Sequence, residues 1–266
     1  MSPATYELFA VKYAEFSRPA VQNFTFAADV HDGPMPLDYF TWIARSPERT
    51  FVIDTGFDEA TGGRRARSIL RDPSEGCAAL DVDTARIEDV IVTHLHYDHA
   101  GNPGAFRRAR FHLQDREMAY ATGRHMCHGR LRMPFDVEHV VDMLREVYRG
   151  RVAFHAGDVE IASGISLHLV GGHSDGLQVV RVHTRRGWVV VASDAIHFYA
   201  NMETGNPFPI VFNVGDMMEG WNTCRRLADS EQHIVPGHDP LVMQRYPAPS
   251  AELEGIAVRL DVPPRI

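Results

Sequence analysis

Apolar and polar positions along this chain follow two periods, and the short period appears first. "DYFTWIA" (38–44) and "TFVIDTG" (50–56) are rich in aromatic and β-branched residues, and "RSPER" between them predicts a hairpin. Further β-like runs follow at "DVIVT" (89–93), "ISLHLV" (165–170), "GWVVVAS" (187–193) and "HIV" (233–235). The 3.6-residue period is clearest in "DVEHVVDMLREVY" (136–148). It predicts a helix with Val137, Val140, Val141, Leu144, Val147 and Tyr148 on its buried face and Asp136 as N-cap. A second helix is expected near Asp216, with Asp216 and Glu219 as a capping box and Met217, Trp221, Cys224 and Ala228 as its apolar stripe. Strands mixed with helices predict an α/β or α+β chain. No internal repeat or low-complexity linker divides it, so one domain over residues 1–266 is expected.

Composition narrows the function classes. With 44% apolar and 23% charged residues and no apolar run of membrane-spanning length, the chain reads as an ordinary globular protein without a transmembrane helix. Its first residues, "MSPATYELFA", show neither a basic nor an apolar segment of a secretory signal, which points to the cytoplasm. Cys77, Cys127 and Cys224 are odd in number and widely spaced, which suits reduced thiols. A net charge of −8 disfavours a nucleic-acid partner, and the basic runs "RRARSILR" (64–71) and "RRAR" (107–110) read as solvated faces.

The chemistry concentrates at "HLHYDH" (94–99), directly after a β-like run. In an extended segment alternate residues point the same way, so His94 and His96 can face one ion while Leu95 turns into the core. Adjacent Asp98 and His99 diverge, which suits a second ion. Three more candidates stand at or just past β-like runs: His173 in "LHLVGGH", Asp194 in "VVVASD" and His238 in "HIVPGH". If those strand ends share one edge, seven candidate ligands converge. Imidazoles and carboxylates without a thiolate suit two neighbouring divalent ions, zinc first and manganese, cobalt or iron as alternatives. They disfavour a closed structural zinc site.

"HLHYDH" matches the HxHxDH signature of the metallo-β-lactamase superfamily, and His173, Asp194 and His238 follow in that family's order. The resemblance covers nearly the whole chain and implies an αββα sandwich, two β-sheets packed face to face with helices outside and metals at one edge. It implies that His94, His96 and His173 bind one ion, that Asp98, His99 and His238 bind the other, and that Asp194 bridges them. "IDTG" (53–56) resembles the early Asp-x-Gly strand end, which would put Asp54 behind the ligands; a buried aspartate capping a turn is an equal reading.

"GGHSDGLQVV" (171–180), "SDAIHFY" (193–199) and "VPGHDP" (235–240) most resemble the quorum-quenching N-acyl-homoserine lactonases. Secreted β-lactamases, RNA-processing members and flavodiiron proteins fit less well. The resemblance implies hydrolysis of a lactone or related ester by a hydroxide bridging two ions about 3.5–4 Å apart, with Asp98 passing a proton to the leaving alkoxide and no organic cofactor. One departure stands out. Those lactonases place a tyrosine three residues after the bridging aspartate, whereas this chain has His197 there and Tyr199 two residues later. Either could meet the substrate carbonyl, and His197 could also be a loop residue without a catalytic part.

A lid or insertion is expected around 118–150, with Met126, Leu131, Met133 and Phe135, joined by Phe24, Phe26 or Met35, as an apolar acyl pocket or as ordinary packing. "HMCH" (125–128) reads as a loop rather than a further metal cluster, and histidines 31, 112, 139, 155, 168, 183 and 233 are assigned no role. A glyoxalase-II-like thioesterase and a mononuclear-iron persulfide dioxygenase are the rival readings; a nuclease is more remote. A homodimer is implied by the resemblance alone.

Overall fold

Leu8 and Ala10 point to one side of the first strand, β1 (Glu7–Phe16), Phe9 and Val11 to the other, and all four are buried. A strand covered on both faces carries no alternation of polar and apolar residues, which is why this one has no alternating signature in the sequence. The computed structural model describes residues 2–26 and 33–265, so His31 lies outside the described residues. β1 pairs antiparallel with β2 (Leu37–Arg45), and β2 with β3 (Thr50–Ile53), forming the hairpin expected around "RSPER". The sheet continues in parallel through β5 (Asp89–Ile91), β6 (Arg110–Gln114) and β7 (Val152–His155). The short strands β4 (Ser68–Ile69) and β13 (Ala257–Arg259) also pair with β1.

A second sheet runs in the order β12 (Ile234–Pro236), β11 (Gly187–Ser193), β10 (Gln178–Thr184), β9 (Ile165–Leu169), β8 (Val159–Ala162), antiparallel except for β11 and β12. The two sheets pack face to face through Leu8, Phe40, Trp42, Phe51 and Ile91 from one and Leu167, Val180, Val182, Val191 and Val235 from the other. Each such side chain, fully withdrawn from water, stabilises the fold by about 1.5–3 kcal/mol.

Helices cover both outer faces. α1 (Glu59–Arg65) and α2 (Pro73–Ala78) follow β3, α3 (Asp115–Thr122) follows β6, and α4 (Gly129–Arg132) and α5 (Val137–Tyr148) precede β7. α6 (Tyr199–Thr204) and α7 (Val214–Leu227) follow β11, and α8 (Leu241–Arg245) follows β12. α7 lays Met217, Trp221 and Cys224 against Val179, Val190 and Ala192 of the small sheet. The architecture is αββα with two mixed sheets. No helix among the described residues is long and apolar enough to cross a membrane.

Two local expectations need correction. α7 starts at Val214 because Asn213, not Asp216, caps it, its Oδ1 accepting from the N–H groups of Gly215 (2.9 Å) and Asp216 (3.2 Å). α5 buries His139, Val140, Met143 and Glu146, leaving Val137, Leu144 and Tyr148 exposed. That buried face carries a polar pair, Glu146 held by Arg149 and Arg151 just past the helix end and His139 Nε2 by Thr61 Oγ1 at 3.4 Å, so the buried stripe differs from the one apolar periodicity marks. Within 118–150, α5 packs in the outer helical layer through Val140 and Met143, while Tyr120, Arg130, Leu131, Met133 and Pro134 line a cleft beside His96 and His173.

Candidate metal centre

Five strand ends meet at one edge of the sandwich. β3 ends before Asp54 and β5 shortly before His94, while β9, β11 and β12 deliver His173, Asp194 and His238. Tight backbone geometry makes this convergence possible. A Cβ on Gly172, whose φ is +87°, would lie 2.4 Å from the Met217 nitrogen, and one on Gly237 would lie 2.7 Å from the Ser193 carbonyl oxygen and 2.8 Å from Asp194 Oδ1. Only glycine lets the His173 and His238 loops pass so close. Asp54 (φ +60°) and Ser193 (φ +45°) hold left-handed backbone without being glycine, a strain found where surrounding structure imposes it.

All seven sequence-predicted donors come together here and are buried, Asp98 being the most open at 8% exposure. Candidate ligand atoms of His94, His96 and His173 lie within 4.8 Å of one another, and so do those of Asp98, His99 and His238. Between these groups stands Asp194, with Oδ1 3.1 Å from Nε2 of both His99 and His238 and Oδ2 3.1 Å from His173 Nε2 and 3.9 Å from His94 Nε2.

The other ring nitrogens are tied down. His99 donates from Nδ1 to Asp54 Oδ2 (2.7 Å), His173 from Nδ1 to the Ile210 carbonyl (2.7 Å) and His238 from Nδ1 to the Asp38 carbonyl (2.9 Å). Thr93 Oγ1 donates to Asp54 Oδ2 (2.8 Å), leaving it to accept from His94 Nδ1 at 3.1 Å. Asp54 therefore both orients His99 and fixes the start of the "HLHYDH" loop, the arrangement by which outer partners set ligand tautomers.

Electrostatics make these donors fit divalent cations. With Nδ1 protonated, His99, His173 and His238 aim Nε2 lone pairs at carboxylate oxygens, a repulsive contact unless a cation or extra protons intervene. His94 Nε2 and His99 Nε2 are buried without a hydrogen-bond partner among the described residues. Burial, then the neighbouring histidines, holds His94 and His96 well below the usual imidazole range, so both are neutral. Burial opposes the charge of Asp194, yet His238, His99, His197 and His173 hold its carboxyl well below the usual carboxylate range. Burial opposes a charge on His99 and His238, but Asp194 and Asp98 hold His99 well above and His238 above the usual imidazole range. A positive charge is favoured there, and a divalent ion would take the place of those protons. Imidazoles and carboxylates with no thiolate among them suit Zn²⁺ or a similar ion.

The structure separates His197 from Tyr199. His197 Nε2 is 3.0 Å from Asp194 Oδ2, its ring stacks on Phe208 at 3.7 Å and 5°, and burial pushes its pKa down to about 3, so it is neutral. Tyr199 instead sits in the core between the sheets, with the Arg245 guanidinium 4.0 Å from its ring centroid.

Other groups at the site carried no sequence signal. Glu117, fully buried on α3, accepts from the Leu95 N–H (2.8 Å), Ser174 Oγ (2.7 Å) and the Gly176 N–H (3.0 Å), pinning the His94–His96 loop to the His173 loop. Beside His96 and His173 a cleft is lined by Tyr120, Leu131, Met133 and Phe212, and the Phe135 ring meets His96 edge-on at 4.5 Å. Met126 packs on the helix-covered core, Met35 among aromatics near Tyr39, and Phe26 is 60% exposed, so none of these three lines the cleft.

Residues 34–245 match the model of the metallo-β-lactamase superfamily. A probable metallo-hydrolase of Mycobacterium tuberculosis is 27% identical over 168 residues, 59% of this chain and 53% of that protein. An N-acyl homoserine lactonase of Bacillus cereus is 30% identical over 122 residues, 45% of this chain and 42% of that protein, so the chain spans about half the length of the curated relatives it matches. The crystal structure of a quorum-quenching N-acyl homoserine lactone lactonase superposes with a TM-score of 0.75 at 20% identity, covering 91% of this chain and 95% of that one. A dizinc quorum-quenching lactonase superposes at 0.70 and 16% identity, with 90% of each chain covered. With a buried donor set at the shared edge of two sheets and a family model spanning most of its length, the chain belongs to the metallo-β-lactamase superfamily.

Proposed function

We propose that this metallo-hydrolase uses two divalent ions, zinc first, to open a lactone ring or cleave a related carboxylic ester. The observation that carries this reading is the two-sided environment of Asp194: Oδ1 faces His99, Oδ2 faces His94 and His173, and His238 Nε2 lies 3.1 Å from Oδ1 and 3.3 Å from Oδ2. One iron would leave half of these donors unused, which argues against the persulfide dioxygenase reading. In this reading His94, His96 and His173 hold one ion, Asp98, His99 and His238 the other, and Asp194 both. Divalent ions held there would polarise the substrate carbonyl and supply hydroxide from water near neutral pH.

The protein's own groups do the rest. His197, neutral and held flat by Phe208, keeps its Nε2–H on Asp194 Oδ2 at 3.0 Å and would turn it to the carbonyl oxygen as that atom gains charge, taking the place of the lactonase tyrosine. Asp98 carries the proton of the attacking water to the ring oxygen as its bond to the acyl carbon breaks, giving a hydroxy acid. Arg130 donates to the Pro209 carbonyl at 3.4 Å beside the cleft that both residues line.

A panel of lactones, simple esters and thioesters, assayed with zinc-, manganese- and cobalt-loaded protein, tests this. Lactones are expected to be cleaved most efficiently, and His197→Ala to lower kcat about 10²-fold with metal content unchanged. Turnover of thioesters alone, or full activity in His197→Ala, contradicts the reading.

A further inference from the structure

On the His238 side of the centre, an aromatic rim carries two arginines without acidic partners among the described residues. Tyr39 meets the His238 ring edge-on at 5.1 Å, and its hydroxyl lies 3.1 Å from that of Tyr97. Arg67 donates from Nε to the Tyr97 hydroxyl at 3.0 Å and stacks on Phe16, its guanidinium carbon 3.7 Å from the ring centroid. Arg18 lies over both Phe16 (6.0 Å) and Phe208 (5.2 Å), and Phe208 is the ring stacked on His197. Both cations therefore belong to the aromatic layer that packs on His197 and His238.

Neither guanidinium has a carboxylate within ion-pairing distance among the described residues, whereas Arg45, Arg49, Arg64, Arg116 and Arg259 each do. Arg18 donates from Nη2 to the Gln22 carbonyl, but its Nε is buried and unpartnered among the described residues, and burial pulls its pKa below the usual value. Arg67 spends Nε on Tyr97 and Nη1 on the Arg65 carbonyl, and it also faces the Tyr39 hydroxyl. Burial opposes the charge of Arg67 while Tyr39, Tyr97 and Asp98 favour it, yet Asp98 makes no ion pair with it and turns its Oδ2 to Nε2 of His99 and His238 at 3.7 Å. Once the centre holds divalent ions, its ligand carboxylates do not neutralise them, so the rim becomes more positive still. Half-buried arginines stacked on aromatic faces keep their edge N–H groups free, the geometry that takes a carboxylate.

We propose that Arg18 and Arg67 bind a carboxylate carried by the substrate, so that the enzyme acts on anionic lactones or esters in preference to neutral ones. This rests on the hydrolase reading above and narrows its substrate class. The substrate's reacting carbonyl would lie at the metal ligands, with its carboxylate directed to the Phe16–Phe208 rim.

The test uses metal-loaded protein and two readouts. Calorimetry compares 2-hydroxyglutarate with 4-hydroxybutyrate, the ring-opened acids with and without the extra carboxylate. Kinetics compare γ-butyrolactone carrying a ring carboxylate with the methyl ester of that carboxylate. The carboxylated member of each pair is expected to be favoured at least about tenfold in Kd and in kcat/KM. Arg18→Gln and Arg67→Gln should each reduce that preference, while Arg18→Lys and Arg67→Lys, which keep the charge, should retain part of it. Equal affinity for the two acids in the unmodified protein overturns the proposal, as does a preference that survives in both glutamine variants. If the binding preference behaves as expected but no lactone or ester is cleaved, the hydrolase reading fails while the carboxylate site stands. If lactones are cleaved without any such preference, the reverse holds.

Discussion

Asp54 does more than cap a turn. It accepts the Nδ1–H of His99 at 2.7 Å, the Thr93 N–H at 2.7 Å and the Thr93 hydroxyl at 2.8 Å, so one carboxylate orients a ligand and anchors the loop that carries four donors. Replacing it by alanine frees the His99 ring and should weaken metal affinity about 10–100-fold, measured by competition with a chromophoric chelator. Asp194→Asn should cost more, because the amide loses the charge that faces four histidines. Unchanged affinity in either variant would contradict the role of that aspartate. The seven donors were legible because "HLHYDH" is dense in ligand types and because His173, Asp194 and His238 each follow a β-like run. Glu117 and Asp38 were not, since they act through backbone groups or side chains far away in sequence: Glu117 on Leu95 and Gly176, and Asp38 through its carbonyl on His238.

α5 illustrates what an element reveals and conceals. Its start was readable: Asp136 caps it, accepting from the Glu138 N–H at 3.1 Å, and also pairs with Arg64 at 2.8 Å. Burial opposes its charge, but Arg64, the Glu138 N–H and His139 hold the Asp136 carboxyl below the usual range. A depressed carboxyl contributes stability that is fully present above its unfolded pKa of about 3.9 and is lost as pH falls through its lower folded value. Asp136→Ala should therefore cost about 1 kcal/mol at pH 7, most of it from the cap because the Arg64 pair is half exposed, and the deficit should shrink below about pH 4. Urea melts at pH 7 and pH 3 check this; a deficit equal at both would contradict it. The buried face was misread for a different reason. Periodicity counts apolar residues, whereas this helix buries Glu146 beside Arg149 and Arg151 at its own C-terminal end and His139 against Thr61, a partner that only the tertiary fold brings. β1 escaped notice for a related reason, since both its faces are covered.

Across the molecule, two sheets whose strands end at one edge bring together residues from 54 to 238. The sequence order of β-like runs was enough to expect that convergence, but the pairing of strands into two sheets came only with the fold. The large sheet places β3 and β5 side by side, and the small sheet places β11 beside β12, so Asp54, His94, Asp194 and His238 emerge as neighbours. Gly172 and Gly237 then allow the loops to close on one another. The overall acidic charge of −8 contrasts with the local rim of Arg18 and Arg67, which shows that net charge says little about what one site attracts.

Everything proposed for the chemistry depends on Asp194 dividing the donors into two ion sites. Elemental analysis of tag-free protein purified without chelator decides whether it does. Close to two divalent ions per chain, zinc, manganese or cobalt, are expected, falling in Asp194→Asn. A single iron per chain in the unmodified protein, with no second ion taken up on titration, would contradict the two-ion division.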